Sequence, residues 1–252
     1  MQRETVEIQK ELFSDGRSRL EKYSDLVVGR RGLGALLKHE AIVSLAANRA
    51  GALGLLLRSR LYPRLLGRCG RNVTFGSHIV LRHPHKVEIG DNVVVDDFCV
   101  LDAKGTTNTG IRIGSGVFIG RNTILSCKNG DIELGDRVNI GFNCEIFSAS
   151  SVVLGDDALV AAYVYLIGGG HEFDDPSRPV LAQARSSRGI RVGSGAWLGA
   201  GAKILDGIAI GDGAIVGTGS VVTGDVPPLT IVAGVPARVL RERTTRVAGA
   251  TT

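Results

Sequence analysis

The sequence predicts an all-β solenoid, a parallel β-helix, preceded by an α-helical segment. Three observations carry that prediction. The stretch from Val192 to Pro227 divides into six consecutive hexads: VGSGAW, LGAGAK, ILDGIA, IGDGAI, VGTGSV and VTGDVP. Each opens on a branched aliphatic residue (Val192, Leu198, Ile204, Ile210, Val216, Val222), and a small residue recurs at the fifth place (Ala196, Ala202, Ala214, Ser220). A period of six is neither the 3.6 of a helix nor the 2 of a half-buried strand; a fixed short repeat is the mark of a solenoid. Composition agrees: 5% aromatic residues and 35 glycines in 252 suit a thin stacked core.

Each hexad supplies one short strand and one turn, so three hexads close a triangular coil of 18 residues, as from Val192 to Ile210. The opening aliphatic points inward and stacks on its equivalents in the coils above and below. Gly, Asn or Asp at the third and fourth places takes the corner, where positive φ is free of steric cost for Gly and tolerable for Asn. The sixth place faces outward. One coil buries nothing alone, so stability comes from nearest-neighbour stacking.

Residues 1–72 read as a helical N-terminal extension. The opening MQRETVEIQKEL is charged and lacks the apolar centre of a signal peptide, which gives the expectation of a cytoplasmic protein. Residues 4–22 look helical and polar; a break follows around Gly29 to Gly34. Residues 33–66 again look helical, with Pro63 ending or kinking the run. Its longest apolar run, Ala50 to Leu57, is far short of the roughly 20 residues that span a bilayer. Arg49, Arg58, Arg60, Arg64, Arg68 and Arg71 make the segment basic. Two readings stand: a cap over the first coil or against a neighbouring subunit, or a peripheral contact with an anionic membrane.

The solenoid spans 73–227, beginning near Val73 with VTFGSH and IVLRHP. A clear coil starts at Ile89, and KGTTNTGIR (104–112) is an insertion before the coil at Ile113. The next coils start at Leu134 and Leu154, with two or three extra residues at corners. From Leu154 to Val192 the interval is far longer than one coil, and the excess forms a Gly/Pro-bearing loop, 167–191, containing GGGHEFDDPSRPVLAQARSSRG. Long loops on rigid scaffolds are where function concentrates. Residues 228–252 form a turn-rich closing stretch and a polar tail.

The net charge of +5 and pI near 9.2 fit either a plain basic protein or one that meets an anionic cofactor or surface. The four cysteines (Cys69, Cys99, Cys127, Cys144) lack metal-like spacing; Cys99 and Cys144 fall at the inward fifth place and are expected to be free thiols. His83 and His85 have no further ligands at useful spacing and read as surface histidines. No metal is expected. The IGxG strings are solenoid corners, not phosphate loops. His171 differs: three glycines precede it, and Glu172, Asp174 and Asp175 are placed to fix its tautomer. An imidazole titrating near neutrality suits general-base work on a hydroxyl or amine.

The loop GHEFDDPSRP, with GAWLGAGAKILDG, VVTGDVPP and AGVPARVLRE, carries a resemblance. Over roughly 73–243 the chain resembles the hexapeptide-repeat acyltransferases, in the branch of galactoside, maltose and polysaccharide O-acetyltransferases. The resemblance implies a left-handed coil, a homotrimer with active sites in grooves between solenoids, and direct transfer from acetyl-CoA. It implies His171 as catalytic base, and Trp197 as lining of the pantetheine channel. Ala200, Thr218 and Thr223 would border the pantetheine arm, and Arg238 and Arg241 would meet CoA phosphates. Many relatives read VTK where this chain has Val222-Thr223-Gly224, so one phosphate-directed lysine is missing. Asn143 lies where the sugar acetyltransferases have an acceptor-side Asn, but it is also an obvious corner residue; Glu145, outward in the same hexad, could face the acceptor. The expected activity is O-acetylation of a sugar, polysaccharide or glycolipid precursor. An N-acyltransferase on an amino sugar or small metabolite, and an inactive trimeric scaffold, are the alternatives.

Overall fold

The computed structural model describes residues 16–244. Three parallel sheets form the faces of a triangular prism. The first face runs from Arg68–Cys69 to Ala209–Ile210, the second from Thr74–Phe75 through Trp197–Leu198 to Thr230–Gly234, and the third from Val80–Arg82 to Val221–Val222. Every coil gives each face one strand. The ladder starts at Arg68, a little before Val73, because Arg68–Cys69 already pairs with Glu88–Ile89.

The hexad logic holds residue by residue. Leu198, Ile204 and Val216, openers of their hexads, are fully buried, as are Ala196, Ala202, Ala214 and Ser220 at the fifth place. Cys99 and Cys144 are buried free thiols in the same position. The left-handed residue is the fourth of the first five hexads: Gly195, Gly201, Gly207, Gly213 and Gly219 have φ between +62° and +82°. Asn72, Asn92, Asn122 and Asn143 do the same work in the earlier coils.

Coil lengths depart from 18 at one edge only. From first face to second to third, the steps are six residues throughout, as in Ile89–Val95–Leu101, Ile113–Ile119–Leu125 and Val192–Leu198–Ile204. The return from third face to first varies: Leu101 to Ile113, Leu125 to Leu134, and Leu166 to Val192. The insertion at 104–112 and the long loop therefore leave from the same corner, stacked along the prism.

Among the described residues three α-helices precede the coils: α1 (Arg19–Tyr23), α2 (Leu33–Ala46) and α3 (Gly51–Leu61). Residues 4–15 of the expected first helix lie outside the described residues. α1 begins at Arg19 because Ser18 and Glu21 form a capping box. The single helical run expected over 33–66 is two helices. Arg58, buried on α3, donates from Nη1 to the carbonyls of Ala46 (3.2 Å) and Arg49 (2.7 Å), and from Nε to that of Phe75 (2.9 Å). One side chain thus satisfies the end of α2 and ties both helices to the first coil, where Tyr62 meets Phe75 edge-on. Pro63 sits in the 3-10 turn Tyr62–Arg64 that ends α3. The outer sides of α2 and α3 leave Leu33, Leu37, Leu53 and Leu56 exposed.

Two expectations are corrected. His83 is not a surface residue: it is buried under the N-terminal segment, its Nε2 2.8 Å from the Asp25 carbonyl and its ring stacked 6.0 Å from that of His85. Burial pushes both imidazoles below their ordinary range, His85 to about 4. The closing stretch contains strands: Ala237–Glu242 runs antiparallel to Thr230–Gly234 and ends the second face. The polar tail beyond residue 244 lies outside the described residues.

Candidate functional site

The excursion from the third corner is a hairpin. Gly170 and His171 pair antiparallel with Ser186 and Arg185. At its base Gly169 has φ of 139°, and a Cβ there would stand 2.7 Å from that of Ala149, so the chain leaves the coil through a site only glycine fits. The root is held by Asp206 in the next coil. Its carboxylate accepts from the amides of Arg188 (2.8 Å) and Gly189 (2.9 Å), and Ser187 Oγ lies 2.7 Å from Ser150 Oγ. The tip is tied by Gln183, whose side chain bonds both the amide and the carbonyl of Asp175.

His171 is half-buried, and its Nδ1 is buried without a hydrogen-bond partner. The expected support from acidic neighbours is absent among the described residues. Asp175 instead accepts from the amide and hydroxyl of Ser177, and the Glu172 amide is spent on the Ala184 carbonyl. The turn at the tip uses the Asp175 carboxylate locally, and among the described residues no acidic side chain hydrogen-bonds the imidazole.

The wall leading to His171 is the third face. Glu145 points outward there between Ile124 and Tyr165 of the adjacent coils. Burial and then the Glu145 charge raise the Tyr165 phenol above its usual range. Asn143, just before this strand, takes the left-handed corner at φ 55°, the role its hexad place gives it. Further along, Lys128 lies over the Phe147 ring at 5.1 Å. Asp102, buried, pairs with Arg82 (3.3 Å) and Lys104 (3.0 Å). Burial, then the charges of Arg185 and Lys104, hold the Lys128 ammonium below its ordinary range.

The residues expected to hold a cofactor lie mainly elsewhere. Trp197 is 46% exposed on the second face. It pairs in register with Ile215, which pairs with Ile231, which pairs with Arg241. Three strand spacings make this outward column about 14 Å long. Ala200 and Thr218 form the adjoining corner, where the Gly219 amide bonds the Ala200 carbonyl at 2.8 Å. Arg238 and Arg241 are exposed on the closing strand, each guanidinium on a neighbouring backbone carbonyl. Thr223 lies past the third-face strand Val221–Val222, away from the column. The second face is opposite the corner that bears the hairpin, so one copy of the chain keeps His171 apart from Trp197. Among the described residues no three His, Cys, Asp or Glu side chains are grouped to hold a metal ion.

Sequence reasoning did not single out Lys128, Arg185 or Asp206. Asp206 was hidden as the third residue of ILDGIA, a place that corner geometry already explains. Lys128 and Arg185 are far apart in sequence, and their charges act on each other only because both lie at the corner where the detours stack.

Comparison with known proteins agrees with this architecture. The family described as bacterial transferase hexapeptide (six repeats) matches residues 189–224, and the hexapeptide repeat of succinyl-transferase matches 132–167. The galactoside O-acetyltransferase of Escherichia coli is 31% identical over 167 residues, 64% of this chain and 71% of that protein. A putative lipopolysaccharide biosynthesis O-acetyl transferase of the same organism is 29% identical over 205 residues, 78% of this chain and 92% of that one. A probable acetyltransferase of Mycobacterium tuberculosis is 31% identical over 133 residues, and the match covers 53% of this chain but only 44% of that longer protein. The repeat, the three-faced coil and these relatives together establish that the chain belongs to the hexapeptide-repeat acyltransferases.

Proposed function

We propose that the protein transfers an acetyl group from acetyl-CoA directly to a hydroxyl of a sugar, polysaccharide or glycolipid precursor, with His171 as general base. The observation that carries this reading is His171 itself: a half-buried imidazole on a hairpin, anchored at root and tip, with no carboxylate among the described residues engaging its ring. In this reading the imidazole takes the acceptor hydroxyl proton as the oxygen attacks the thioester carbon. Backbone amides stabilise the oxyanion. Collapse expels the CoA thiolate, which recovers the proton from the imidazolium. Two relatives named as O-acetyltransferases support oxygen over nitrogen as the nucleophile.

The division of residues between opposite sides of the prism supports a homotrimer. His171 of one copy would meet Trp197, Ala200, Thr218 and the Arg238–Arg241 strand of the next, so that each groove holds one donor. The exposed leucines of α2 and α3, beside Arg60 and Arg64, support a peripheral contact with an anionic membrane, where a lipid-linked acceptor would reside. No helix among the described residues is long and apolar enough to cross a membrane.

The test is thiol release from acetyl-CoA over a panel of sugars and amino sugars, with the wild type and His171→Ala. A hydroxyl acceptor whose turnover vanishes in the variant, with the oligomer intact, is the expected result. Undiminished turnover in His171→Ala would refute the base assignment; acetylation of amines alone would move the reading to N-acyl transfer. Failure to bind CoA at millimolar ligand would turn it to a scaffold.

A further inference from the structure

The third corner concentrates cations beside His171 that the chemistry above does not use. We propose that the acceptor carries an anionic group, a carboxylate or a phosphate, which binds between Lys128 and Arg185 while its hydroxyl is presented to His171. The inference rests on the general-base reading of His171 and adds the class of substrate.

The placement is built from three coils. The Lys128 amide bonds the Ser148 carbonyl, and the Ala149 amide bonds that of Gly168, which sets Lys128 two coils below the base of the hairpin on the same edge. Its side chain climbs one coil to lie over Phe147. Phe147 in turn pairs with Ile167, four residues before His171. Arg185 comes down from the other strand of the hairpin, directly across from His171. Arg185 thus links the two: it stands opposite His171 on the hairpin, and its charge acts on Lys128.

The charges there do not balance. Asp102 is committed to Arg82 and Lys104. Neither Lys128 nor Arg185 has a carboxylate partner among the described residues, and Glu145 lies back along the strand towards the second corner. Lys128 lies over an aromatic face; burial, then the charges of Arg185 and Lys104, act on it unfavourably and outweigh the favourable charges of Asp102 and Glu145, neither of which pairs with it directly. Two like charges within reach of each other on this wall disfavour each other until an anion lies between them. A planar guanidinium and a point ammonium suit a carboxylate or phosphate equally. These cations belong to the third corner, whereas Arg238 and Arg241, expected to meet the donor's phosphates, lie on the closing strand of the second face. An anion at this corner is therefore assigned to the acceptor.

The experiment compares matched hydroxyl acceptors on the full chain: a neutral hexose, the corresponding uronic acid and the corresponding hexose 6-phosphate. Each is assayed with wild type, Lys128→Gln and Arg185→Gln at two ionic strengths. The expected result is a preference for one or both anionic acceptors that weakens with salt. Each variant should raise the anionic acceptor's KM about tenfold, the loss of one charge-assisted contact, and leave the KM for acetyl-CoA unchanged. Preference for the uronic acid or for the phosphate identifies the source of the charge. Neutral acceptors turned over as well as charged ones, with both variants silent, overturn this inference and leave His171 as base. A rise in the acetyl-CoA KM instead places the donor at this corner and also overturns it. No turnover of any hydroxyl acceptor, despite CoA binding, removes both readings. Unchanged melting temperatures establish that the variants report on binding.

Discussion

The hairpin that bears His171 is fixed to the coil through Asp206, and removing that carboxylate should release it. Asp206 accepts two backbone amides, from Arg188 and Gly189, and lies 3.4 Å from Ser187 Oγ. A hydrogen bond to a charged group contributes about 1.5–3 kcal/mol. The Arg188 amide is at an exposed residue, where water replaces the lost acceptor, whereas Gly189 is buried and its amide is left unpaired. We therefore expect Asp206→Ala to weaken the anchor by about 2–3 kcal/mol rather than by two full bonds. That shifts the anchored population on the order of 30- to 150-fold. The readout is amide hydrogen exchange at Gly189, which should lose protection by that factor, together with a fall in kcat/KM for acetyl transfer. The solenoid core is untouched, so any drop in melting temperature should stay within about 10 °C. Asp206→Asn, which keeps one acceptor oxygen, should lie between. Unchanged Gly189 protection in Asp206→Ala would refute the anchor, and unchanged kcat/KM despite lost protection would show that hairpin order does not limit the reaction.

Three further outcomes follow from the geometry. Arg58→Leu strips two buried carbonyls and one part-buried carbonyl of their donor and should destabilise the first coil by about 3 kcal/mol, seen in urea unfolding; Arg58→Lys should rescue only part, because one ammonium cannot span all three. The depressed His85 value, near 4, means that the unfolded chain binds the proton first as pH falls. Stability is therefore complete above about pH 6.5 and declines towards pH 4, by about 1–2 kcal/mol after solvent screening; His85→Leu should flatten that limb in pH-dependent melts. Trp197→Ala should raise the KM for acetyl-CoA roughly tenfold, through lost apolar contact on the second face, with little change in the melting temperature.

The regular coils were legible because each place of the hexad tolerates a narrow set of residues, set by burial at the first and fifth and by positive φ at the fourth. The same logic exposed His171, which sits where the pattern stops. What stayed hidden depends on contacts between distant segments. The break between α2 and α3 is set by Arg58, a residue that reads as surface charge until its three carbonyl partners are in place. The burial of His83 requires the N-terminal segment to fold across it. The acidic run after His171 suggested a supported imidazole, yet the turn at the hairpin tip consumes Asp175 locally. Of the candidate donor residues, Trp197 could be placed outward from its sixth position alone; that it aligns with Arg241 needed the closing strand.

The fixed six-residue steps on two edges and the variable return on the third separate two kinds of change. Insertions at the third corner leave the phase of the stack untouched, since every coil re-enters the first face in register whatever its detour. A lineage of such proteins can therefore exchange whole third-corner segments, which face the acceptor on the reading proposed above, while the second face, with its Trp197 column, is inherited intact. Grafting the 169–189 segment between relatives should transplant acceptor preference without a matching change in how the donor is held.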